Sequence, residues 1–341
     1  MHDNKGNNRN THKEQDMRTG IAGRALAAAL VATGMQAAPA AAQEYPDRLV
    51  RFVVAYPAGA TDTAARTVTK RLAELWGKSV IIDNKPGAGS AIGAEFVQRA
   101  TPDGYTLFWT TDSTHTLNPH LYKSLTYEPL GFTPVAKTIS TVNVLGVNAN
   151  MPFKTVAELL AYAKANPAKA SYGSAGIGIS NHLAGELLQH VTGIPMVHVP
   201  YKGTGPATTD LLAGSLAFMF AGAGHMLPFA RAGKFRVIGV TDTVRHKSFP
   251  DVPTMEEAGL KGFDLPNIYH AVLGPLKMQP AVVGKINQTL RTALADKDVT
   301  SQLNTQGYDV TPSSPDELGA LMKRNLDIWG RIVTAAKIEK M

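Results

Sequence analysis

The sequence predicts an α/β protein built on mostly parallel sheets, and two observations carry that prediction. Apolar runs of strand length alternate with amphipathic stretches of helix length from residue 48 to residue 240, the pattern of βαβ units. Small polar loops rich in glycine follow several of the runs, as they do where strands of such a sheet end in a ligand crevice.

The elements follow in order. Residues 48–55 read as a buried strand ending in Tyr56-Pro57-Ala58-Gly59-Ala60-Thr61-Asp62. A helix over 63–76 comes next, with Asp62 as its cap and Thr61 and Thr63 placed to cap or bind. A second strand spans 79–83, and the glycines at 87, 89 and 93 open a helix running to 100. The third strand, 106–110, ends in Thr110, Thr111 and Asp112, which are candidates to line a cleft. Thr155-Val156-Ala157-Glu158 is a capping box for a helix over 155–166. Strands at 196–201 and 235–240 enclose a helix over 205–213. A connector rich in proline and glycine spans about 249–266, and residues 280–340 are largely helical.

The most informative stretch is Tyr172-Gly173-Ser174-Ala175-Gly176-Ile177-Gly178-Ile179-Ser180-Asn181-His182, which empties into the helical pattern Leu183, Leu187, Leu188, Val191. It holds three glycines, and neither acid nor base before His182. Such a loop at a helix N-terminus offers bare N–H groups and hydroxyls to an anion. It suits holding a carboxylate better than transforming one. The alternative is a tight turn that uses glycine for its backbone freedom.

Residues 1–42 have the order of a secretory signal: five basic residues, the apolar run 25–32, then Ala38-Pro39-Ala40-Ala41-Ala42 before Gln43. Met17 begins a more typical signal by itself. The apolar run is too short to span a bilayer, so the expected product is a periplasmic chain that is not embedded in the membrane. With no cysteine in the chain, neither a lipid anchor nor disulfides are expected. Residues 43–341 carry 29 basic and 24 acidic side chains, scattered without a run. That balance mildly favours anionic ligands and gives no nucleic-acid footprint.

Several blocks, in order, carry a resemblance: Tyr56-Pro57-Ala58-Gly59 with Asp62, Ala65 and Arg66; Asn84 with Pro86-Gly87-Ala88-Gly89; Pro102-Asp103-Gly104-Tyr105-Thr106-Leu107; Asn118-Pro119-His120-Leu121-Tyr122; Tyr172-Gly173-Ser174 with Gly176, Gly178 and His182; His198-Val199-Pro200-Tyr201-Lys202-Gly203; Asp210-Leu211 with Gly214; Arg231-Ala232-Gly233-Lys234; and Pro250-Asp251-Val252-Pro253-Thr254 with Glu257-Ala258-Gly259. Together the chain resembles the Bug-type extracytoplasmic solute receptors of tripartite tricarboxylate transporters. The resemblance implies a two-lobed periplasmic binding protein fold, type II-like, with the ligand cleft between lobes. Residues 43–144 with 265–341 would form one lobe, 145–264 the other, and two strand-like crossings the hinge. The implied grip on a small carboxylate comes from the loop of Tyr56, Pro57, Ala58, Gly59, Ala60, Thr61 and Asp62 and from that of Ser174, Gly176, Gly178, Ile179 and Ser180. His182 and Tyr269 join the candidate binding residues. Implied partners are the ligand and the membrane components of such a transporter; the protein is expected to be a monomer with no cofactor.

The chain departs from the family pattern at Ala60, Ser90, Ile179, Tyr269, Ala217 and residues 221–223. Ile179 stands where a hydroxyl is usual. With Tyr56 and Tyr269 as aromatic faces, it favours an apolar or aromatic monocarboxylate over a di- or tricarboxylate, unless Ile179 packs as core.

No enzyme motif is complete. The glycines at 87, 89 and 93 miss the dinucleotide spacing by one residue, and Gly77-Lys78-Ser79 lacks the upstream glycine of a phosphate loop. Gly173-Ser174-Ala175-Gly176 lacks the first glycine of a nucleophile elbow. His182, Glu186 and His190 share one helix face at a spacing that suits a metal or, more simply, packed and solvated positions. Lys202 and Arg231 read as surface charges. The expectation is therefore no catalysis. The alternatives are a secreted serine hydrolase using Ser174 with a distant histidine, and a ligand-binding sensor partner that feeds no transporter.

Overall fold

The computed structural model describes Met1, His2 and residues 45–340, apart from Lys202 and Asp264. The signal-like stretch thus lies outside the described residues beyond its first two. The chain divides into two units at Asp47 and Arg48. The described part of the first is short and carries a cis peptide bond at Tyr45-Pro46. Every element below belongs to the second.

Strands β1 (Val50–Val54), β2 (Val80–Asn84), β3 (Thr106–Thr111) and β4 (Phe132–Thr141) begin one sheet. The chain then builds a second from β5 (Asn143–Asn148), β6 (Ser171–Ser174), β7 (Val197–Pro200), β8 (Phe218–Gly222) and β9 (Phe235–Val240). It returns to the first with β10 (Ile268–Pro275) and β11 (Asp309–Val310). The orders are β11-β4-β10-β3-β1-β2 and β7-β6-β8-β5-β9. Read from the β2 and β7 edges, the two sheets share one plan. An edge strand, a first strand, a third strand and two oppositely running hinge strands follow one another in each.

The parallel arrangement holds for β2-β1-β3 and β7-β6-β8. The other half of each sheet is antiparallel. Connectivity requires this around the hinge. β4 leaves the first sheet and β10 re-enters it beside β4, so the two must run in opposite senses. The central strands are the buried ones: β1 and β3 bury Phe52, Val53, Val54, Leu107, Phe108 and Trp109 completely, and β5 and β10 are buried almost throughout, whereas the edge strands β2 and β7 are largely half-buried or exposed, as expected of a sheet covered on both faces.

The helices are α1 (Ala60–Trp76), α2 (Ala91–Gln98), α3 (Asn118–Leu121), α4 (Val156–Ala165), α5 (Ser180–Thr192), α6 (Thr204–Leu212), α7 (Ala223–Arg231), α8 (Pro280–Ala295), α9 (Lys297–Thr305) and α10 (Pro315–Ala335). Three carry side-chain caps from Thr155, Asp296 and Ser314. The box at α4 is displaced: the Thr155 hydroxyl accepts from the Glu158 N–H, but Glu158 accepts from the Lys154 N–H, one residue early. A three-residue 3-10 turn, Ala88–Ser90, precedes α2, so that helix starts later than its glycines suggested.

One core crosses between the sheets. Ile328, Trp329, Ile332 and Val333 of α10, with Leu117 and Leu121, pack with Leu183, Leu187 and Leu188 of α5. The second half of α10 thus adheres to the 145–264 region although its first half covers the first sheet through Leu318 and Met322.

Candidate functional site

In each sheet the order edge-first-third puts a topological switch beside the first strand. Connections there leave on opposite faces and open a crevice at the strands' carboxyl ends. The 56–62 loop follows β1, and residues 111–113 run off the end of β3. The 174–180 loop runs off the end of β6, and residues 222–223 end β8 and start α7. The plan of the fold therefore makes the two candidate loops equivalent.

α1 and α5 both start without a side-chain cap, behind Gly59 and Ile179. The first N–H groups of a helix lack intrahelical partners, and in α1 nothing from its own N-cap supplies one. α6 and α7 also begin uncapped, so an open terminus alone marks no site. What distinguishes α1 and α5 is their place at the two switch points. Pro57, Ala58, Gly59 and Ala60 are exposed, and Thr61 is half-buried.

Asp62 is a correction. Helix α1 begins at Ala60, three residues early, so Asp62 lies inside the first turn and caps nothing. Its buried carboxylate accepts from Asn84 Nδ2 at 2.8 Å and Arg66 Nε at 2.8 Å. Burial works to raise this carboxyl, but the hydrogen bonds from Arg66 and Asn84 and the Arg66 charge outweigh it and hold the pKa below its ordinary value. Asn84 Nδ2 also donates to the Tyr56 carbonyl at 3.0 Å, tying both ends of the loop. The Tyr56 hydroxyl lies 2.6 Å from Thr111 Oγ1, which lies 2.7 Å from Ser113 Oγ. These hydroxyls bridge the ends of β1 and β3 across the switch.

Thr110 and Asp112 point inward. Thr110 is buried and shares a 2.5 Å contact with Thr114 Oγ1. Burial pushes the Asp112 carboxyl up to about 7. Tyr269, 2% exposed, is enclosed at the second crossing with its hydroxyl 2.7 Å from His115 Nε2. The small exposed part of Tyr269 borders a crevice that Lys137, Ser140, Asp242 and Arg324 also line.

In the second loop the buried Ser174 hydroxyl lies 2.6 Å from His198 Nε2. It also accepts from the Gly176 N–H at 3.2 Å and contacts the Gly176 carbonyl at 3.0 Å. The pair matches what the hydrolase alternative required, yet the oxygen is enclosed and spent on the turn. Gly178, at φ +80°, is also buried, and its N–H donates to His182 Nδ1 at 3.1 Å. Ser180 Oγ receives Asn143 Nδ2 at 3.4 Å, from the start of β5. Ile177 and Ile179 are 60% and 38% exposed, so Ile179 is not core. His182 and Glu186 are neighbours, and His190 is exposed a turn further on. Among the described residues no group of three or more His, Asp or Glu is arranged to hold a metal.

Arg66, Asn84, Ser113 and His198 take part without having been singled out as binding residues. Arg66, Asn84 and His198 stand inside the quoted blocks, which was their only signal. A cavity of about 1100 Å³ lies elsewhere, between α7 and α9, where Arg231, His246, Asn304 and Tyr308 line it.

Residues 64–338 match the tripartite tricarboxylate transporter family receptor, TctC. The chain belongs to the TctC family. Rpa4515 of R. palustris, solved with adipate, is 30% identical, with 87% of this chain and 100% of that one covered and a TM-score of 0.76. The periplasmic binding protein BugD is 33% identical over 87% of this chain and 100% of its own, with a TM-score of 0.72. MatC of Rhodopseudomonas palustris, solved with malate, is 31% identical over 85% and 100%, with a TM-score of 0.71. These similarities establish the two-lobed periplasmic binding protein fold. TctC proteins are solute-binding receptors and not enzymes, so the contact between Ser174 and His198 is structural. No helix among the described residues is long and apolar enough to cross a membrane.

Proposed function

We propose that this TctC protein captures a small carboxylate between its lobes and delivers it to a tripartite tricarboxylate-type membrane transporter. The observation that carries the reading is the equivalence of the 56–62 and 174–180 loops. Both sit at a switch point and both lead into a helix without a side-chain cap. A carboxylate gains about 0.3–1 kcal/mol at an exposed helix N-terminus and up to about 2 when partly buried. Two termini closing on one anion add their contributions, and charge-assisted hydrogen bonds strengthen them. A grip made of backbone and hydroxyls also suits release.

The lobes in this reading are residues 43–144 with 265–341, and 145–264. Residues 1–42 direct export to the periplasm and are cleaved near Ala42. Tyr56, Thr111 and Ser113 contribute hydroxyls to the first lobe's wall. Thr110, Asp112, Asp62 and Tyr269 support that wall from beneath. Ile177 and Ile179 face the ligand's body and favour an apolar one. The adipate held by Rpa4515 has a plain methylene chain between its carboxylates, which makes it a sound first probe.

Calorimetry with adipate, malate, citrate and benzoate, followed by recovery of each acid, tests the reading. One-to-one binding of at least one acid, recovered unchanged, is the expected result. Absence of binding across the panel, or chemical change of the ligand, would overturn it. Growth of a strain lacking the membrane components, with the bound acid as carbon source, separates transport from sensing.

A further inference from the structure

Beneath the 174–180 loop three rings stand in a stack. His198 of β7 lies between Tyr172 of β6, at 4.9 Å and 25°, and His182 of α5, at 4.0 Å and 30°. Each imidazole ends a hydrogen bond that shapes the loop. His198 Nε2 meets the Ser174 hydroxyl that closes on Gly176, and His182 Nδ1 accepts the Gly178 N–H. Glu186 completes the cluster: it accepts the Tyr172 hydroxyl at 2.5 Å and Gln189 Nε2 at 3.1 Å, and stands 3.6 Å from His182 Nε2.

We propose that His182 and His198 are positioning residues that hold the 174–180 loop in its anion-receiving shape only while His182 Nδ1 is unprotonated, so that acid releases the ligand. The inference rests on the reading of this loop as a carboxylate grip and adds its control.

The chemistry is local. An imidazole nitrogen can accept the Gly178 N–H only through its lone pair. The ring's one proton must then sit on Nε2, on the side of Glu186. A second proton would occupy Nδ1 and face the Gly178 N–H head-on, and the turn at Gly178 must then open. The titratable groups facing the pair are Glu186 from the same helix and Tyr172 from β6. Burial, with the neighbouring His182 adding to it, pulls His198 down to about 4. His198 is thus the neutral partner, and the His182 Nδ1 lone pair is the acceptor on which the Gly178 turn depends.

Nitrogen-resolved NMR of the unliganded protein tests the first half without a ligand. Near neutral pH, His182 should be the Nε2–H tautomer, and the Gly178 amide should shift on acidification with the same midpoint as the ring. An Nδ1–H tautomer, or a Gly178 amide indifferent to that titration, overturns the proposal. Calorimetry with adipate tests the second half. Wild-type affinity should fall about tenfold between roughly pH 7.5 and pH 5.5, the worth of one such hydrogen bond. In His182→Asn the amide oxygen takes the place of Nδ1 and cannot titrate, so most of that fall should vanish. An equal fall in both proteins, or affinity that rises on acidification, contradicts the switch. If neither protein binds adipate, the carboxylate reading fails, and the NMR result still decides whether the histidine controls the loop.

Discussion

Gly224 and Gly307 touch backbone to backbone. A Cβ on Gly224 would stand 2.0 Å from the Gly307 Cα, and one on Gly307 would stand 2.6 Å from the Gly224 Cα. Gly224 opens α7, which follows the third strand of one sheet, and Gly307 lies two residues before β11 of the other. Beside them Asp309 accepts His246 Nε2 at 3.0 Å and pairs with Lys247. The start of α7 and the turn before β11 thus meet directly, and small size is what lets them.

Gly224→Val should force this contact apart. Overpacking of this kind costs about 1–3 kcal/mol. The melting temperature should fall, and small-angle scattering should show a wider particle. A variant with unchanged stability and profile would show that the contact yields without moving the lobes.

Asn84→Ala removes the donor that ties the Tyr56 carbonyl to Asp62. It leaves a buried carboxylate oxygen without its partner, at a cost of about 1–3 kcal/mol. The pH dependence has a definite sign. The Asp62 carboxyl is held below its ordinary value, so its contribution is present above the unfolded pKa and is lost as pH falls through the lower folded one. The gap between wild type and variant should therefore be widest near neutrality and shrink below about pH 4. Denaturant melts at several pH values read this directly, and a gap independent of pH contradicts the role given to Asp62.

Asp112 works in the opposite sense. Its folded pKa of about 7 lies above the ordinary 3.8, so the neutral form suits the fold. The associated stability is full below the unfolded value and is lost as pH rises through about 7. Asp112→Asn does not titrate and should gain on the wild type across that window, by a few kcal/mol at most. Melting curves at about pH 5 and about pH 8 compare the two; parallel curves would mean that Asp112 stays charged in the fold.

The parallel half of the first sheet was legible because its strands are apolar runs, with glycine-containing loops after β1 and β2, and α4 was legible because Thr155 and the residues after it write a helix start in sequence. β8 was not. Phe218-Met219-Phe220-Ala221-Gly222 follows an alanine and leads into more small residues, and a short apolar run does not say whether it is strand or helix. The hinge strands β4 and β10 pair with each other across more than a hundred residues of sequence, β10 reaches β3 from as far, and no local pattern encodes that. In the site, the 174–180 loop stood out by composition. Asp62 misled because aspartate is a common cap, whereas Gly59 took the cap position and left the carboxylate to Asn84 and Arg66. His198 stayed hidden because its meaning lies in two rings brought together from different elements.

Ile179→Ser should exchange specificity. An apolar wall cannot satisfy a second charged group, and burying one without partners costs several kcal/mol. A hydroxyl at 179 should therefore weaken benzoate-like acids and improve citrate. Competition calorimetry with both acids on wild type and variant reads the exchange. A wild type that already prefers citrate would remove Ile179 from the ligand's surroundings.

The most direct measurement is a crystal structure of the protein with adipate bound. The account predicts a closed cleft in which one carboxylate meets the backbone N–H groups at the start of α1, near Ala60 and Thr61, and those at the start of α5, near Ser180, with Ile179 against the methylene chain and the second carboxylate beyond that wall, in contact with solvent. Adipate found instead in the cavity between α7 and α9, with both of those helix starts facing solvent, would contradict it.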